Sequence, residues 1–132
     1  TLSSSSAASD VYKRQLLRGL ERSKSIDSGS WNIVYTNSGT LEGRLATLLI
    51  GTGAEISLVS RSREGVSRLT ARASRKTTLD GIHLGEIMES ISKQIGGDGG
   101  GHSGAAGWSG NTDRIAAESA FIAQVALIKR KE

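Results

Sequence analysis

The sequence contains no cysteine and no proline, and aromatic residues make up only 4% of its 132 residues. Without cysteine, the chain can form no disulfide, iron–sulfur cluster or thiolate zinc site, and it has no cysteine nucleophile. His83 and His102 are the two histidines, and neither has a second histidine or a carboxylate at a recognisable metal-ligand spacing. A self-contained metalloenzyme is therefore not expected.

Long apolar runs are also missing from the sequence. No stretch of about 18 apolar residues occurs, which excludes a membrane span, and the serine-rich start lacks the order of a secretory signal. A cytoplasmic location is the resulting expectation. The length favours one domain, and the hydrophobic fraction of 36% with few aromatics predicts an aliphatic core.

Positive charge is concentrated in one segment of the chain. The whole chain has a net charge of +4, whereas residues 61–76 carry six cations against a single acidic residue, Glu64. The six cations are Arg61, Arg63, Arg68, Arg72, Arg75 and Lys76. This local excess indicates a polyanionic ligand such as a phosphate chain, although a solvated basic face explains it equally well.

The start of the chain divides into two short segments. Residues 1–15 are rich in serine and alanine and include SDVYKRQ, which resembles translated sequencing-adaptor read-through. We therefore expect residues 1–15 to be a non-native or disordered leader. Residues 16–28 are expected to be the remnant of an interdomain linker helix, and residues 29–132 the domain that follows it.

Hydrophobic periodicity predicts the element order β-α-β-β-α-β-α after this N-terminal helix. Strands are predicted at residues 31–36, 55–60, 66–74 and 105–109. Helices are predicted at residues 41–50, at residues 84–95, and after a cap at Asn111 or Thr112. The result is an α/β fold with a small mixed β-sheet and helices packed on it.

The predicted strand at residues 66–74 alternates small apolar residues with polar ones. Its polar side carries Arg68, Thr70, Arg72 and Ser74. The two hydroxyls can donate to phosphate oxygens, and Arg72 offers a bidentate fork. Simple exposure of this side to solvent explains the pattern as well as ligand binding does.

Five glycines occupy six positions between Gly96 and Gly101. One glycine would end the preceding helix, but each further glycine adds to the entropic cost of ordering the chain. We expect a loop whose amides form an anion-binding concavity, followed by His102 as a donor to a phosphate or sugar oxygen. Small residues at 105–107 would then let a nucleotide lie close. A flexible linker is the main alternative.

Two familiar glycine motifs do not fit this stretch. A mononucleotide P-loop would end in Gly-Lys-Ser/Thr, and a dinucleotide fingerprint would open directly into a helix. Neither feature is present. His83 stands at the predicted start of a helix, where a surface or structural role is favoured over catalysis.

The Gly-Gly-Gly-His-Ser-Gly-Ala-Ala-Gly stretch at residues 99–107 matches the Gly-Gly-Gly-His-x-x-Ala-Ala-Gly signature of DHHA1 domains at every fixed position. TARAS at residues 70–74 resembles the Ser/Thr-x-Arg-x-Ser strand that precedes this signature in the family. The similarity covers residues 29–132, which are thus expected to be a DHHA1 substrate-binding domain. Residues 67–107 most resemble archaeal RecJ-like single-strand exonucleases.

This resemblance implies a two-domain, metal-dependent phosphoesterase. A DHH domain would hold two Mn²⁺ ions, and the DHHA1 domain would close over the substrate. Substrate-binding roles are implied for these residues: Gly99, Gly100, Gly101, His102, Ala105, Ala106, Gly107, Thr70, Arg72 and Ser74. The Asp-His-His triplet of the metal site does not occur in this sequence, so no catalytic residue, metal or cofactor is assigned, and the chain alone is expected to be inactive.

The expected partners are the DHH domain and single-stranded nucleic acid or nucleotide phosphates. The leading function is to grip nucleic-acid phosphates for a RecJ-like exonuclease. One alternative is a small-nucleotide phosphodiesterase acting on cyclic dinucleotides, nanoRNA or phosphoadenosine phosphate. Another is a non-catalytic tRNA- or nucleic-acid-binding module like that appended to alanyl-tRNA synthetases, but those variants generally lack the histidine that stands here at position 102.

Overall fold

The computed structural model describes the backbone of residues 4–131 and the side chains of residues 10–131. Its elements in chain order are α1 (Ser4–Glu21), β1 (Lys24–Ser28), β2 (Trp31–Asn37), α2 (Glu42–Gly51), β3 (Ile56–Arg63), β4 (Val66–Ala73), α3 (Arg75–Leu79), α4 (Leu84–Ile95), β5 (Asp98–Gly101), β6 (Ala105–Gly110) and α5 (Arg114–Ala126). None of the helices in this range is both long and apolar enough to cross a bilayer.

Six strands form one mixed sheet in the order β1-β2-β3-β4-β6-β5. Strands β2 and β3 are parallel because α2 connects them as a crossover, and the other neighbours are antiparallel. The β3–β4 hairpin turns at Glu64 and Gly65, with φ values of 52° and 80°, as a tight two-residue turn requires. The predicted α/β fold with a mixed sheet is confirmed.

Helices pack on both sides of this sheet. On the side that we call the core face, α4 and α5 enclose a core whose largest buried side chains are Trp31, Trp108 and Phe121. On the other side, α1 and α2 lie over a smaller cluster that includes Leu45 and Val59. The sheet is therefore the middle layer of a three-layer arrangement at its β1-β2-β3 end.

The apolar patterns read from the sequence correspond to buried surfaces. Trp31 and Ile33 on β2 are buried, as the alternation predicts. Leu84, Ile87, Met88 and Ile91 on α4 are buried too, and Ile95 packs against the same core. The predicted strand at residues 105–109 is confirmed as β6, which lies inside the sheet between β4 and β5.

The predicted linker helix at residues 16–28 is wrong in its second half. Helix α1 ends at Glu21, and Lys24–Ser28 forms β1, an edge strand paired with β2. Four of the five β1 residues are exposed, so the segment has no buried apolar alternation by which a strand could be recognised. Residues 4–15 of the predicted leader lie in α1, and residues 1–3 lie outside the described residues. Their assignment as non-native sequence stays a prediction.

The predicted glycine loop is also wrong in part, because Asp98–Gly101 forms strand β5. It pairs with β6 along its length, so the sheet ends in a glycine-rich hairpin. The cap of α5 is Asp113, whose carboxylate accepts from the amides of Ile115 and Ala116. Thr112, one of the two predicted caps, instead donates to the carbonyl of Ile95.

Candidate functional site

Strand register arranges the predicted site in three rows across β4, β6 and β5. The rows are Arg72–Ala105–His102, Thr70–Gly107–Gly100 and Arg68–Ser109–Asp98. His102 belongs to the first row because its amide donates to the carbonyl of Ala105 at 2.8 Å. Residues two apart on a strand point to the same side, so the rows share one side of the sheet, which we call the open face. At about 3.3 Å per residue, the outer rows are about 13 Å apart.

The open face is the side of β5 and β6 that faces away from the core. Helix α4 packs against their other side, where Trp108 is buried and Ala106 contacts the core. On the open face, Arg68, Thr70, Asp98 and Ser109 line a shallow hollow of about 250 Å³. Gly100, Gly107 and Ala105 have small or no side chains on the open face, so a flat ligand can approach the backbone there.

Arg72 differs from Arg68, the other arginine of the three rows, because it has no carboxylate neighbour among the described residues. Arg61, Arg68, Arg114 and Arg130 each lie within 4 Å of a carboxylate, whereas Arg72 forms no ion pair with any described residue. Its Nε is buried and has no hydrogen-bond partner among the described residues. An unpaired buried donor costs about 1–3 kcal/mol, and no carboxylate of the described residues balances the charge of this guanidinium.

Helix α2 leaves room for this guanidinium. One Nη of Arg72 lies 3.8 Å from the position that a Cβ on Gly43 would occupy. A larger side chain at position 43 would extend into the space of the guanidinium. The guanidinium of Arg72 therefore lies beside the start of α2, at ordinary contact distance from position 43.

Glu42 neutralises part of the basic segment. It lies 2.9 Å from an Nη of Arg61 and 3.8 Å from an Nη of Arg68. Burial acts to raise the pKa of the Glu42 carboxyl, but the hydrogen bond from Arg61 and the two positive charges outweigh it, so the pKa falls below its ordinary value. Two of the six cations counted between residues 61 and 76 are thus already paired.

Adjacent glycines on β5 have different neighbours. A Cβ on Gly99 would lie 2.3 Å from the carbonyl oxygen of Met88, so glycine here lets α4 pack against the strand. A Cβ on Gly100 would meet no atom of the described residues within 4 Å. The protein itself therefore gives no reason for glycine at position 100, whereas a ligand lying on the open face would.

The turn between β5 and β6 fixes the position of His102. The carbonyls of His102 and Ser103 accept from the first amides of α4, those of Gly85 and Leu84, at 2.9 Å each. Nδ1 of His83 accepts from the amide of Glu86 at 3.1 Å and so caps the same helix. The predicted structural role of His83 is confirmed, while the exposed His102 side chain remains available to a ligand.

The predicted site residues divide into three groups. The open-face rows contain Gly100, His102, Ala105, Gly107, Thr70 and Arg72. Gly99 and Ala106 face the core, and Gly101 has a φ of 144° and sits tightly inside the hairpin. Ser74 lies outside β4, and its hydroxyl caps α3 by accepting from the amide of Thr77 at 3.2 Å.

The anion-binding concavity that the sequence predicts is not formed at His102, because the amide of His102 donates to the carbonyl of Ala105 inside the hairpin. Sequence reasoning also missed Asp98 and Ser109, which complete the third row. Counting back from His102 in steps of two would have reached Asp98 once the glycines were treated as a strand. Among the residues whose side chains are described, no group of three or more His, Asp or Glu residues could hold a metal ion.

Known proteins resemble this chain in sequence and in fold. The DHHA1 domain family matches residues 23–127. An uncharacterized protein of Methanocaldococcus jannaschii is 32% identical over 123 residues, which are 91% of this chain and 37% of that protein. The chain thus spans little more than a third of the length of this curated relative.

Solved structures share the fold at low sequence identity. The C-Ala domain of Aquifex aeolicus alanyl-tRNA synthetase has a TM-score of 0.63 and 15% identity, covering 78% of this chain and 98% of its own. A pGpG-specific phosphodiesterase from Vibrio cholerae has a TM-score of 0.56 and 17% identity, covering 88% of this chain and 38% of its own. The match over residues 23–127 shows that the chain belongs to the DHHA1 domain family.

Proposed function

We propose that the open face grips a phosphate of single-stranded nucleic acid in the cytoplasm and presents the neighbouring phosphodiester to a DHH domain, as in a RecJ-like exonuclease. The observation that carries this proposal is Arg72, whose guanidinium has no carboxylate partner among the described residues and whose Nε is buried and unpaired. His102 stands in the same row and can donate to the same phosphate.

The hydrolytic step is assigned to the partner domain. DHHA1 domains normally occur with a DHH domain, and we propose that two Mn²⁺ ions held there supply Lewis-acid activation of the phosphodiester. The part played by this chain is to bind and orient the substrate. Holding the scissile bond in a fixed position is itself a large contribution to such a reaction.

A small-nucleotide phosphodiesterase is the second candidate, and Glu42 favours it. Because Glu42 pairs with Arg61 and approaches Arg68, fewer cations are free for a long phosphate chain than the sequence indicates. The third candidate, a tRNA-binding module without catalysis, shares the fold of the alanyl-tRNA synthetase domain. The histidine at position 102 argues against it.

Alanine variants test the phosphate grip. Arg72→Ala and His102→Ala should each weaken binding of a fluorescent single-stranded oligonucleotide while the melting temperature changes little. Lys93→Ala removes one positive charge from an exposed position on α4 and serves as the matched control, with binding near that of the wild type. If Lys93→Ala weakens binding as much as Arg72→Ala does, the interaction is general electrostatic attraction and the proposal fails.

The salt dependence of the binding affinity distinguishes a polymeric ligand from a small one. For single strands, the logarithm of affinity falls with the logarithm of salt by about 0.7 for each phosphate contacted. A slope of about −2 or steeper indicates three or more phosphates and supports the exonuclease candidate. A slope near −0.7 indicates one phosphate and favours the small-nucleotide candidate.

A further inference from the structure

We propose that the Asp98 end of the open face is a nucleoside subsite in which the Asp98 carboxylate selects guanine. This inference rests on the proposed function, because it assumes that a phosphate lies on the Arg72–His102 row. It names the ligand group, a nucleoside, that would bind at the opposite end of the face.

Two hollows meet at Asp98 and Ser109. One is the hollow of about 250 Å³ on the open face. The other has a volume of about 570 Å³ and continues beyond the third row, between the end of α4 and the segment that follows β6. A volume of this size falls within the range of small-molecule sites, roughly 300–1,000 Å³. The open face therefore leads from the phosphate row into a space large enough for a nucleoside.

The charge of the larger hollow disfavours a second phosphate. Among the described residues that line this hollow, Asp98 is the one that carries a charge. The nearest cation of the third row, Arg68, lies 3.8 Å from Glu42 and so is partly neutralised. A phosphate placed in the larger hollow would face the carboxylate of Asp98, and none of the described residues that line this hollow is a cation. The ligand group that fits is uncharged and offers hydrogen-bond donors.

The remaining lining suits a planar, polar ring system. Val66 and Ile95 supply apolar surface, and Asn111 supplies an amide. A Cβ on Gly96 would meet no described atom within 4 Å, so a ring can lie against the backbone there. Such a mixture of apolar contact and a few polar groups is typical of small-ligand sites.

Carboxylate chemistry identifies the base. An ionised Asp98 can only accept hydrogen bonds, through two oxygens side by side. Guanine offers two neighbouring donors on one edge, its N1–H and its N2 amine. Adenine offers an amine next to an acceptor nitrogen, which an ionised carboxylate would repel. The outer rows are about 13 Å apart, a distance that one nucleotide spans when the arginine and aspartate side chains reach inward.

Nucleotide titrations followed by NMR test this subsite in the whole chain. We expect 5′-GMP to bind the wild type on the order of tenfold more tightly than 5′-AMP, as one bidentate pair provides. Asp98→Asn should reduce this preference to about twofold or less, because an amide cannot accept from both donors. Glu89→Gln removes the same charge from an exposed position on α4 and should keep the full preference.

A titration with inorganic phosphate tests the phosphate grip independently of the nucleoside subsite. If phosphate shifts the signals of Arg72 and His102 equally in the wild type and in Asp98→Asn, the phosphate grip stands. Equal affinity of the wild type for the two nucleotides, or a preference that survives Asp98→Asn, then overturns the nucleoside subsite alone. If phosphate leaves Arg72 and His102 unchanged, both proposals fail. Dispersed amide spectra of Asp98→Asn will show that the variant is folded.

Discussion

Two neighbouring glycines on β5 provide a direct test of which side of the sheet the ligand uses. We consider Gly99→Ala and Gly100→Ala, which add the same methyl group to opposite sides of one strand. At position 99 the methyl would lie 2.3 Å from the carbonyl oxygen of Met88 and 2.8 Å from the carbonyl carbon. At position 100 the methyl would meet no atom within 4 Å in the part of the chain that the structure describes.

The expected energies have opposite signs. Gly99→Ala must push α4 away from β5, an overpacking that costs about 1–3 kcal/mol. Gly100→Ala restricts the unfolded chain without a clash and should stabilise the fold by up to about 1 kcal/mol. In binding, however, the methyl at position 100 occupies the floor of the open face, and we expect roughly a tenfold loss of nucleotide affinity from such a clash.

Urea denaturation and nucleotide titration measure the two effects separately. Gly51→Ala is the matched control, since a Cβ there also meets no atom within 4 Å and the residue ends α2, away from β5. The control should neither lose affinity nor lose stability. Wild-type affinity in Gly100→Ala would refute the assignment of the open face, and wild-type stability in Gly99→Ala would refute the packing explanation for that glycine.

Four further outcomes are expected. The pKa of Glu42 is lowered in the folded state. The ionised carboxylate therefore stabilises the fold above the ordinary pKa of 4.5, and this stabilisation is lost as pH falls through the folded pKa. Glu42→Gln should lower the free energy of unfolding, measured by urea denaturation, by about 0.5–1 kcal/mol at pH 7 and by little at pH 3. His83→Ala removes a helix cap and should cost about 1 kcal/mol while nucleotide binding is kept, the reverse of His102→Ala. Arg130→Ala breaks ion pairs to Glu55 and Asp80 and a stacking contact with Trp31; calorimetry should show a lower melting temperature with binding retained. The chain alone should show no Mn²⁺-dependent nuclease activity, and turnover in a clean preparation would contradict the assignment of hydrolysis to the DHH domain.

The parts of the fold that could be predicted are those with one buried side. Strand β2 and helix α4 each bury a regular apolar pattern, and the order of the central elements follows from such patterns. Strand β1 is exposed at the sheet edge, so no alternation distinguishes it from the end of a helix. An element with one buried side has apolar residues at regular spacing, and an exposed edge strand lacks this spacing.

The glycine-rich strand was missed for a different reason. Glycine has a low strand propensity, and β5 is held by its pairing with β6 and by the close packing of α4. These are tertiary contacts that no local preference reveals. The sequence nevertheless predicted six residues of the open face, because the motif marks them independently of the element in which they lie.

The charge argument was incomplete for a similar reason. Glu42 is 19 residues from Arg61 in the chain, so counting charges within residues 61–76 could not include it. The fold brings the two together and leaves Arg72 without such a partner. Sequence alone showed an excess of cations but could not tell that Arg61 and Arg68 lie beside a carboxylate whereas Arg72 does not.

The most direct measurement of the central claim is an NMR titration of the ¹⁵N-labelled chain with inorganic phosphate, following the arginine Nε–Hε signals and the histidine rings. The Nε–Hε signal of Arg72 and the ring of His102 should shift together along one binding curve, while Arg130, already paired with Glu55 and Asp80, stays in place. Equal shifts at all arginines, or an unchanged Arg72, would contradict the claim that the open face is built to receive a phosphate.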